Sequence, residues 1–396
     1  MSRMRHLPRS LPLSLTVGLL GLTLALTGCT SNGAPDAPAS STPEQTSSTP
    51  SAPSAPTEQR VTVSAMGDML PHQAVNAEAK TTGGYDYGRY FDAIRPIYQS
   101  SDLVFCNEEV LASATSPAQI TTYPRFRAPT QFAESLSRDV GCNDINLANN
   151  HMADYEQADI DRTRDTWDAL RPKLIAGANR SSEEQRTIAY TEINGMKIAQ
   201  LAFTAQSNMG HTTFGLNTTD GPLMDEQLTE ARKQADIVIV SMHWGTEDST
   251  ATDAPQRELT QKLVNAGADV VIGTGPHVLQ PAEFIDRPDG GRTLVWNSLG
   301  NMLSTQVPVN NRTGGIAQWQ LVRTGDGPVT VEQATFTPTF MDFVARGVSL
   351  GARHGLRILP MSQADERVRS EFPGESADSR YAFVQKTVGD QVQVVR

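Results

Sequence analysis

From residue 60 onward, short apolar runs rich in β-branched residues alternate with amphipathic stretches. The runs are VTVSAMGD (61–68), DLVFCNEE (102–109), DINLANNH (144–151), DIVIVSMHWGTE (236–247), DVVIGTGPH (269–277) and LVWNSLGN (294–301). Between them FDAIRPIYQ, QFAESLSRD, MDEQLTEARKQA and RELTQKLVNAG carry apolar residues at helical spacing. Continuous apolar strands interleaved with helices predict an α/β domain whose strands are covered on both faces. Every run ends in polar, chemistry-bearing residues. In an open α/β sheet the carboxyl ends of the strands form the ligand crevice, so this succession of endings predicts one shared site. The units differ in length and ending, which excludes a short-period solenoid.

The segment before this pattern reads differently. Arg3, Arg5 and Arg9 precede an apolar run from Leu11 to Leu26, and small residues then lead into Cys29. Sixteen residues are short of the roughly 20 that cross a bilayer, so residues 1–28 are expected to be a secretion signal. The sequence LTGC resembles a lipobox, which makes Cys29 the expected acceptor of a diacylglycerol; an ordinary signal peptide and an uncleaved anchor helix are the alternatives. Of residues 30–58, 23 of 29 are Ser, Thr, Pro or Ala, without a large apolar side chain. Such a segment cannot offset its ordering entropy by burial, so residues 29–58 are expected to be a disordered tether. The folded part is expected to comprise a main domain over 59–345 and an extension over 346–396 that completes it.

Composition narrows the partners. The 396 residues carry 44 acids against 33 Lys and Arg, a net charge of −11. Cleavage before Cys29 removes three arginines and no acid, taking the charge to −14. An acidic surface argues against nucleic acid. Three cysteines are too few for a disulfide scaffold. Cys106 and Cys142 are expected to be free thiols, since Cys142 would begin a strand that staggers it about six residues from Cys106.

The strand endings supply the candidate site. Asp68 follows a strand directly, as a hard divalent metal's first ligand often does, with His72 four residues on. In Asn107–Glu109, alternation sends Asn107 and Glu109 to one side, leaving Glu108 to solvent. LANNHMAD offers Asn149, Asn150, His151 and Asp154, with an asparagine N-cap on a helix from Met152 to Leu170 as the bland alternative. HWGTE contributes His243, Trp244 and Glu247; the tryptophan suits either stacking on substrate or plain packing. GTGPHVLQ contributes His277 and Gln280, and SLGN contributes Asn301. His354 in the tail reads as structural.

Taken in order, GD, N-x-E, NNH-x-x-D, HWG-x-E, G-x-x-P-H-x-x-Q and SLGN resemble the bacterial CapA family, associated with poly-γ-glutamate capsule synthesis, which looks like a branch of the calcineurin-like metallophosphoesterases. The resemblance implies a four-layer α/β-β/α sandwich with a centre of one or two divalent ions, Mn, Fe or Zn, at the strand ends. It implies metal ligation by Asp68, Glu109, Asn150, His243 and His277, and His151 as general acid oriented by Asp154. His72, Asn107, Asn149, Trp244, Glu247, Gln280 and Asn301 would support the centre or touch substrate. Two positions depart from the pattern: Gly275 stands where the first histidine of H-P-H is usual, with His72 a possible substitute, and Glu156 stands where glycine is usual. The implied activity is metal-assisted hydrolysis in capsule or poly-γ-glutamate-type polymer biosynthesis at the outer face of the cell membrane. The implied substrate is an anionic envelope polymer or phosphoester, with membrane synthesis proteins as partners. A non-catalytic polymer-binding factor is the alternative, and a solute-binding lipoprotein a third reading.

Overall fold

The computed structural model describes residues 57–396 apart from His211, Val348 and Leu350. The expected signal, Cys29 and the tether up to residue 56 lie outside the described residues. The first strand begins at Glu58, one residue before the expected boundary.

Four strands open the first sheet: β1 (Glu58–Met69), β2 (Leu103–Glu108), β3 (Asp144–Asn146) and, after helix α1 (Gln157–Leu170), β4 (Leu174–Ala176). They are parallel neighbours in chain order. The chain then builds a second sheet from β5 (Ala189–Ile193), β6 (Met196–Thr204), β7 (Ile237–His243), β8 (Val270–Thr274), β9 (Ala282–Asp286) and β10 (Arg292–Trp296). Helix α2 (Leu223–Gln234) joins β6 to β7, and α3 (Ala254–Asn265) joins β7 to β8. It returns to the first sheet through β11 (Asn301–Leu303), β12 (Thr313–Thr324), β13 (Thr330–Ala345) and β14 (Arg353–Pro360), and ends in helices α4 (Asp365–Glu371) and α5 (Ala377–Val388). The sheet orders are β14-β13-β12-β1-β2-β3-β4 and β9-β10-β8-β7-β6-β5, with β11 paired to the end of β1.

Side-chain alternation explains the layering. Val61, Val63, Leu103, Phe105, Ile237, Ile239, Val270 and Ile272 fill one core between the sheets. Their neighbours Val104, Cys106 and Ile145 pack on the outer face of the first sheet with Ile160 and Trp167 of α1. Val238, Val240 and Val271 pack with Leu228 and Leu263 outside the second. Strands buried on both faces read as unbroken apolar runs for this reason, and the result is the expected helix–sheet–sheet–helix order. Residues 346–396 add the edge strand β14 and pack their helices over β13.

Three expectations are corrected. Cys106 and Cys142 form a disulfide, with Cα atoms 5.8 Å apart. Cys106 is aligned with Ile145, so the stagger is three residues, not six, and Cys142 precedes β3 in a turn at Gly141, whose φ is 93°. The helix after LANNH starts at Gln157 with Glu156 at the N-cap position, so neither Asn149 nor Asn150 is its N-cap. Glu108 is fully buried instead of solvated: α1 covers that face, and Trp167 Nε1 donates to its Oε2 at 3.2 Å.

Thiol titration of the denatured, unreduced protein should find no free thiol at Cys106 or Cys142. Cys142→Ser should lower unfolding free energy in a denaturant titration by about 2–4 kcal/mol. Asp144 is fully buried with neither oxygen hydrogen-bonded, and burial raises its pKa to about 8. The folded state therefore takes up a proton that the unfolded chain has already lost, and this contribution to stability falls as pH rises from about 4 to about 8. Asp144→Asn should flatten that slope and be the more stable protein at pH 9 by about 1 kcal/mol or more; parallel stability–pH curves would contradict this.

Candidate metal centre

The parallel strands of both sheets end on the same side. Asp68 closes β1, and its N–H donates to the Gly300 carbonyl at 2.9 Å. A Cβ on Gly67 would fall on that carbonyl oxygen, so glycine is what lets β1 and the segment before β11 meet. The Asp68 carboxylate accepts from Asn107 Nδ2 at 2.8 Å and from the Gly275 N–H at 3.2 Å, and lies 2.9 Å from His277 Nδ1. Asn146 at the end of β3 steadies Asn107 through a 2.8 Å bond.

Glu109 follows β2 and is fully buried, yet neither carboxylate oxygen has a hydrogen-bond partner. Two imidazoles face it, His243 Nε2 at 3.5 Å and His277 Nε2 at 3.8 Å from Oε1. His243 closes β7, with Nδ1 3.1 Å from Thr274 Oγ1, which leaves Nε2 facing Glu109. His277 stands in the left-handed region (φ 60°) after Gly275 (φ 110°) and Pro276, a loop shape that turns the imidazole back toward Asp68. Ligand atoms of Asp68, Glu109 and His277 all lie within 4.8 Å of one another.

The electrostatics are those of a site short of positive charge. Burial, then the charge of Asp68, pushes Glu109 well above the carboxylate range. Burial alone would raise Asp68 too, but the His277 hydrogen bond and charge hold it below its ordinary value. Burial would lower His277, and the Glu109 charge and Asp68 bond override it, raising the imidazole to about 10. His243 is lowered to about 3 by burial, against the pull of Asp68. Two buried carboxylates, one of them orphaned, facing two imidazoles form a donor set that fits a divalent cation.

A second group stands at the end of β3. His151 Nδ1 lies 2.7 Å from Asp154 Oδ2, which also accepts from the Phe126 N–H at 2.7 Å. Asn149 Oδ1 accepts from the His151 N–H, and its Nδ2 donates to the Glu108 carbonyl, so this asparagine shapes the loop. Asn150 Oδ1 is buried without a partner, while its amide nitrogen is 3.4 Å from Asn208 Oδ1.

The remaining expected residues divide. Asn301 is aligned with Asp68, and its Oδ1 is buried and unpartnered. Glu247 is exposed, and its charge raises both Glu109 and His277. His72 is outside the Asp68–Glu109–His277 group, its Nδ1 accepting from the Thr305 N–H at 3.3 Å. Trp244 packs in the core outside the second sheet and donates to the Asn297 carbonyl, so of its two readings the packing one holds. Gln280 bonds to Gln256 and to the 249–251 backbone, which places it in loop support.

Sequence reasoning missed Asn208, whose Nδ2 sits 3.3 and 3.4 Å from the two ring nitrogens of His151, and Phe126, which packs edge-on to that ring at 4.7 Å. Asn208 was findable: KIAQLAFTAQSN is a further apolar run with a polar ending. Phe126 has no such signal.

A helix–sheet–sheet–helix sandwich thus gathers buried acids, imidazoles and amides at its strand ends. Residues 62–306 match the family described as bacterial capsule synthesis protein PGA_cap. The chain belongs to that family. It is 27% identical to the PGA biosynthesis protein CapA of Bacillus subtilis (strain 168) over 291 residues, 71% of this chain and 74% of that protein. It is 26% identical to the capsule biosynthesis protein CapA of Bacillus anthracis over 297 residues, 71% of this chain and 70% of that one. Among solved structures, a putative 5'-nucleotidase from Staphylococcus aureus in complex with alpha-ketoglutarate superposes with a TM-score of 0.46 at 14% identity, over 73% of this chain and 56% of that chain.

Glu109→Gln removes the charge that burial opposes. The metal-free variant should be at least as stable to heat as the metal-free wild type, whereas the stabilisation that added Mn gives the wild type should shrink or vanish. Differential scanning calorimetry with and without Mn reads both effects, and equal Mn-induced shifts in the two proteins would contradict the assignment of Glu109.

Proposed function

We propose that this protein is a lipid-anchored, extracytoplasmic factor of capsule or poly-γ-glutamate-type polymer biosynthesis that acts by metal-assisted hydrolysis. The observation that carries the reading is the orphaned Glu109 carboxylate beside Asp68 and His277, in a crevice that also holds the His151–Asp154 pair. The two Bacillus relatives, proteins of PGA and of capsule biosynthesis, support the pathway. The Arg-rich start, the apolar run and Cys29 support the anchor, and the Cys106–Cys142 disulfide suits an oxidising compartment outside the cytoplasm.

Asp68, Glu109, Asn150, His243 and His277 would hold one or two ions of Mn, Fe or Zn. When bound, such an ion activates water and offsets charge that develops on the substrate. The chain's own residues supply the remainder. Asp154, accepting from Nδ1 of His151, fixes the tautomer and leaves Nε2 as the atom that exchanges a proton with the leaving group. The Phe126 N–H and ring hold that pair in place. Asn107 and the Gly275 N–H fix the Asp68 carboxylate, so its oxygens need no rearrangement.

Gly275 favours a second reading, a factor that binds an anionic polymer through its metal without turning it over. A Cβ there would sit 2.8 Å from the Trp244 carbonyl and 3.2 Å from His243 Nε2, so the loop is built around glycine and supplies a backbone N–H where relatives of the expected pattern supply an imidazole.

Metal-loaded wild type should hydrolyse a generic phosphodiester or a γ-glutamyl oligomer. His151→Ala should lose about 10²–10⁴-fold in turnover with its metal content unchanged. Polymer binding without turnover in the wild type would select the second reading.

A further inference from the structure

Four arginines among the described residues are buried: Arg164, Arg312, Arg353 and Arg380. Three of them face carboxylates within 4 Å: Arg164 with Glu184 and Asp168, Arg312 with Asp342 and Glu371, and Arg380 with Glu375. Arg353 has none. It starts β14 and is only 9% exposed, while its neighbour His354 turns outward and lies 3.9 Å from Glu78. Its one side-chain bond runs from Nη1 to Thr305 Oγ1 at 2.8 Å, and among the described residues Nε and Nη2 have no protein partner. A guanidinium that is largely buried and faces no acid keeps its remaining N–H donors free for an anionic ligand.

The position indicates which anion. Thr305 lies two residues beyond β11, the strand paired with β1 at Asp68 and Met69. Its N–H donates to His72 Nδ1, so Arg353, Thr305 and His72 form one hydrogen-bonded chain. The His72 ring packs edge-on to Phe126 at 5.4 Å, and Phe126 packs edge-on to the His151 ring at 4.7 Å. The loop before β14 reaches the same rim, where a Cβ on Gly351 would touch Gln73. The chain from Arg353 therefore ends at the wall shared with the expected general acid. Carboxylate and phosphate oxygens both match the two open N–H groups of the guanidinium.

We propose that Arg353 binds an anionic oxygen group of the substrate, a carboxylate or a phosphate, beside the metal centre. This rests on the reading of that centre given above, and it brings residues 346–396, which lie beyond the family match, into substrate recognition.

The test is calorimetric titration of the Mn-loaded full chain, with metal content measured, using inorganic phosphate and γ-glutamylglutamate as separate probes. Wild type should bind one or both, Arg353→Gln should bind about 10-fold or more weakly at equal metal content, and Arg353→Lys should fall between. Loss confined to phosphate identifies a phosphoester group, and loss confined to the dipeptide identifies a carboxylate. Equal binding of both probes by Arg353→Gln, or no binding of either by metal-bearing wild type, overturns the proposal. Should Arg353→Gln unfold at a lower temperature, Arg353→Lys decides, since losing the planar fork must still weaken binding. A wild type that takes up no metal fails the metal-centre reading instead, and probe binding that still depends on Arg353 then keeps the anion site.

Discussion

Two fully buried carboxylates brought to one crevice repel each other, and the arrangement around Asp68 and Glu109 is organised by that constraint. Asp68 is satisfied by the protein itself, through Asn107, the Gly275 N–H and His277. Glu109 has no hydrogen-bond partner for either carboxylate oxygen among the described residues. The Glu109 charge and the Asp68 hydrogen bond raise the His277 imidazole to about 10 against its burial, whereas burial lowers His243 to about 3. A divalent cation between the strand ends would offset this deficit, and acids and imidazoles of distant sequence segments stand there to hold one.

The sandwich makes that crevice possible. Strands sealed on both faces leave only their ends for polar side chains, and the two sheets bring the ends of β1, β2 and β3 against those of β7 and β8. Contact that close needs missing side chains. Gly67 admits the Gly300 carbonyl, and Gly275 admits the Trp244 backbone and the His243 ring. Gly275, where the expected pattern has a histidine, thus presents a backbone N–H to Asp68 in place of a side chain.

Much of this was legible in the chain because the strands are buried on both sides: VTVSAMGD, DIVIVSMH and DVVIGT announce themselves by unbroken apolar character, and the residue that follows each run is where the chemistry sits. The errors came from features that alternation and propensity do not encode. The Cys106–Cys142 pair depends on the β2–β3 register and on the turn at Gly141. The LANNH loop looked like a helix start, but Asn149 spends its hydrogen bonds on His151 and the Glu108 carbonyl, delaying the helix to Gln157. Glu108 read as solvated because nothing local announces that Trp167, 59 residues away, will cover it. Arg353 was invisible as a site residue for the same reason, since its lack of an acid partner is a property of the folded molecule.

The central claim is that the chain gathers Asp68, Glu109 and His277 around a divalent ion. Anomalous diffraction at the Mn absorption edge from crystals of Mn-loaded protein tests it most directly. The account predicts a peak at about 2.0–2.4 Å from an oxygen of Asp68, an oxygen of Glu109 and a nitrogen of His277. A fully Mn-soaked crystal with no peak there, or with its peak on ligands elsewhere in the chain, would contradict it.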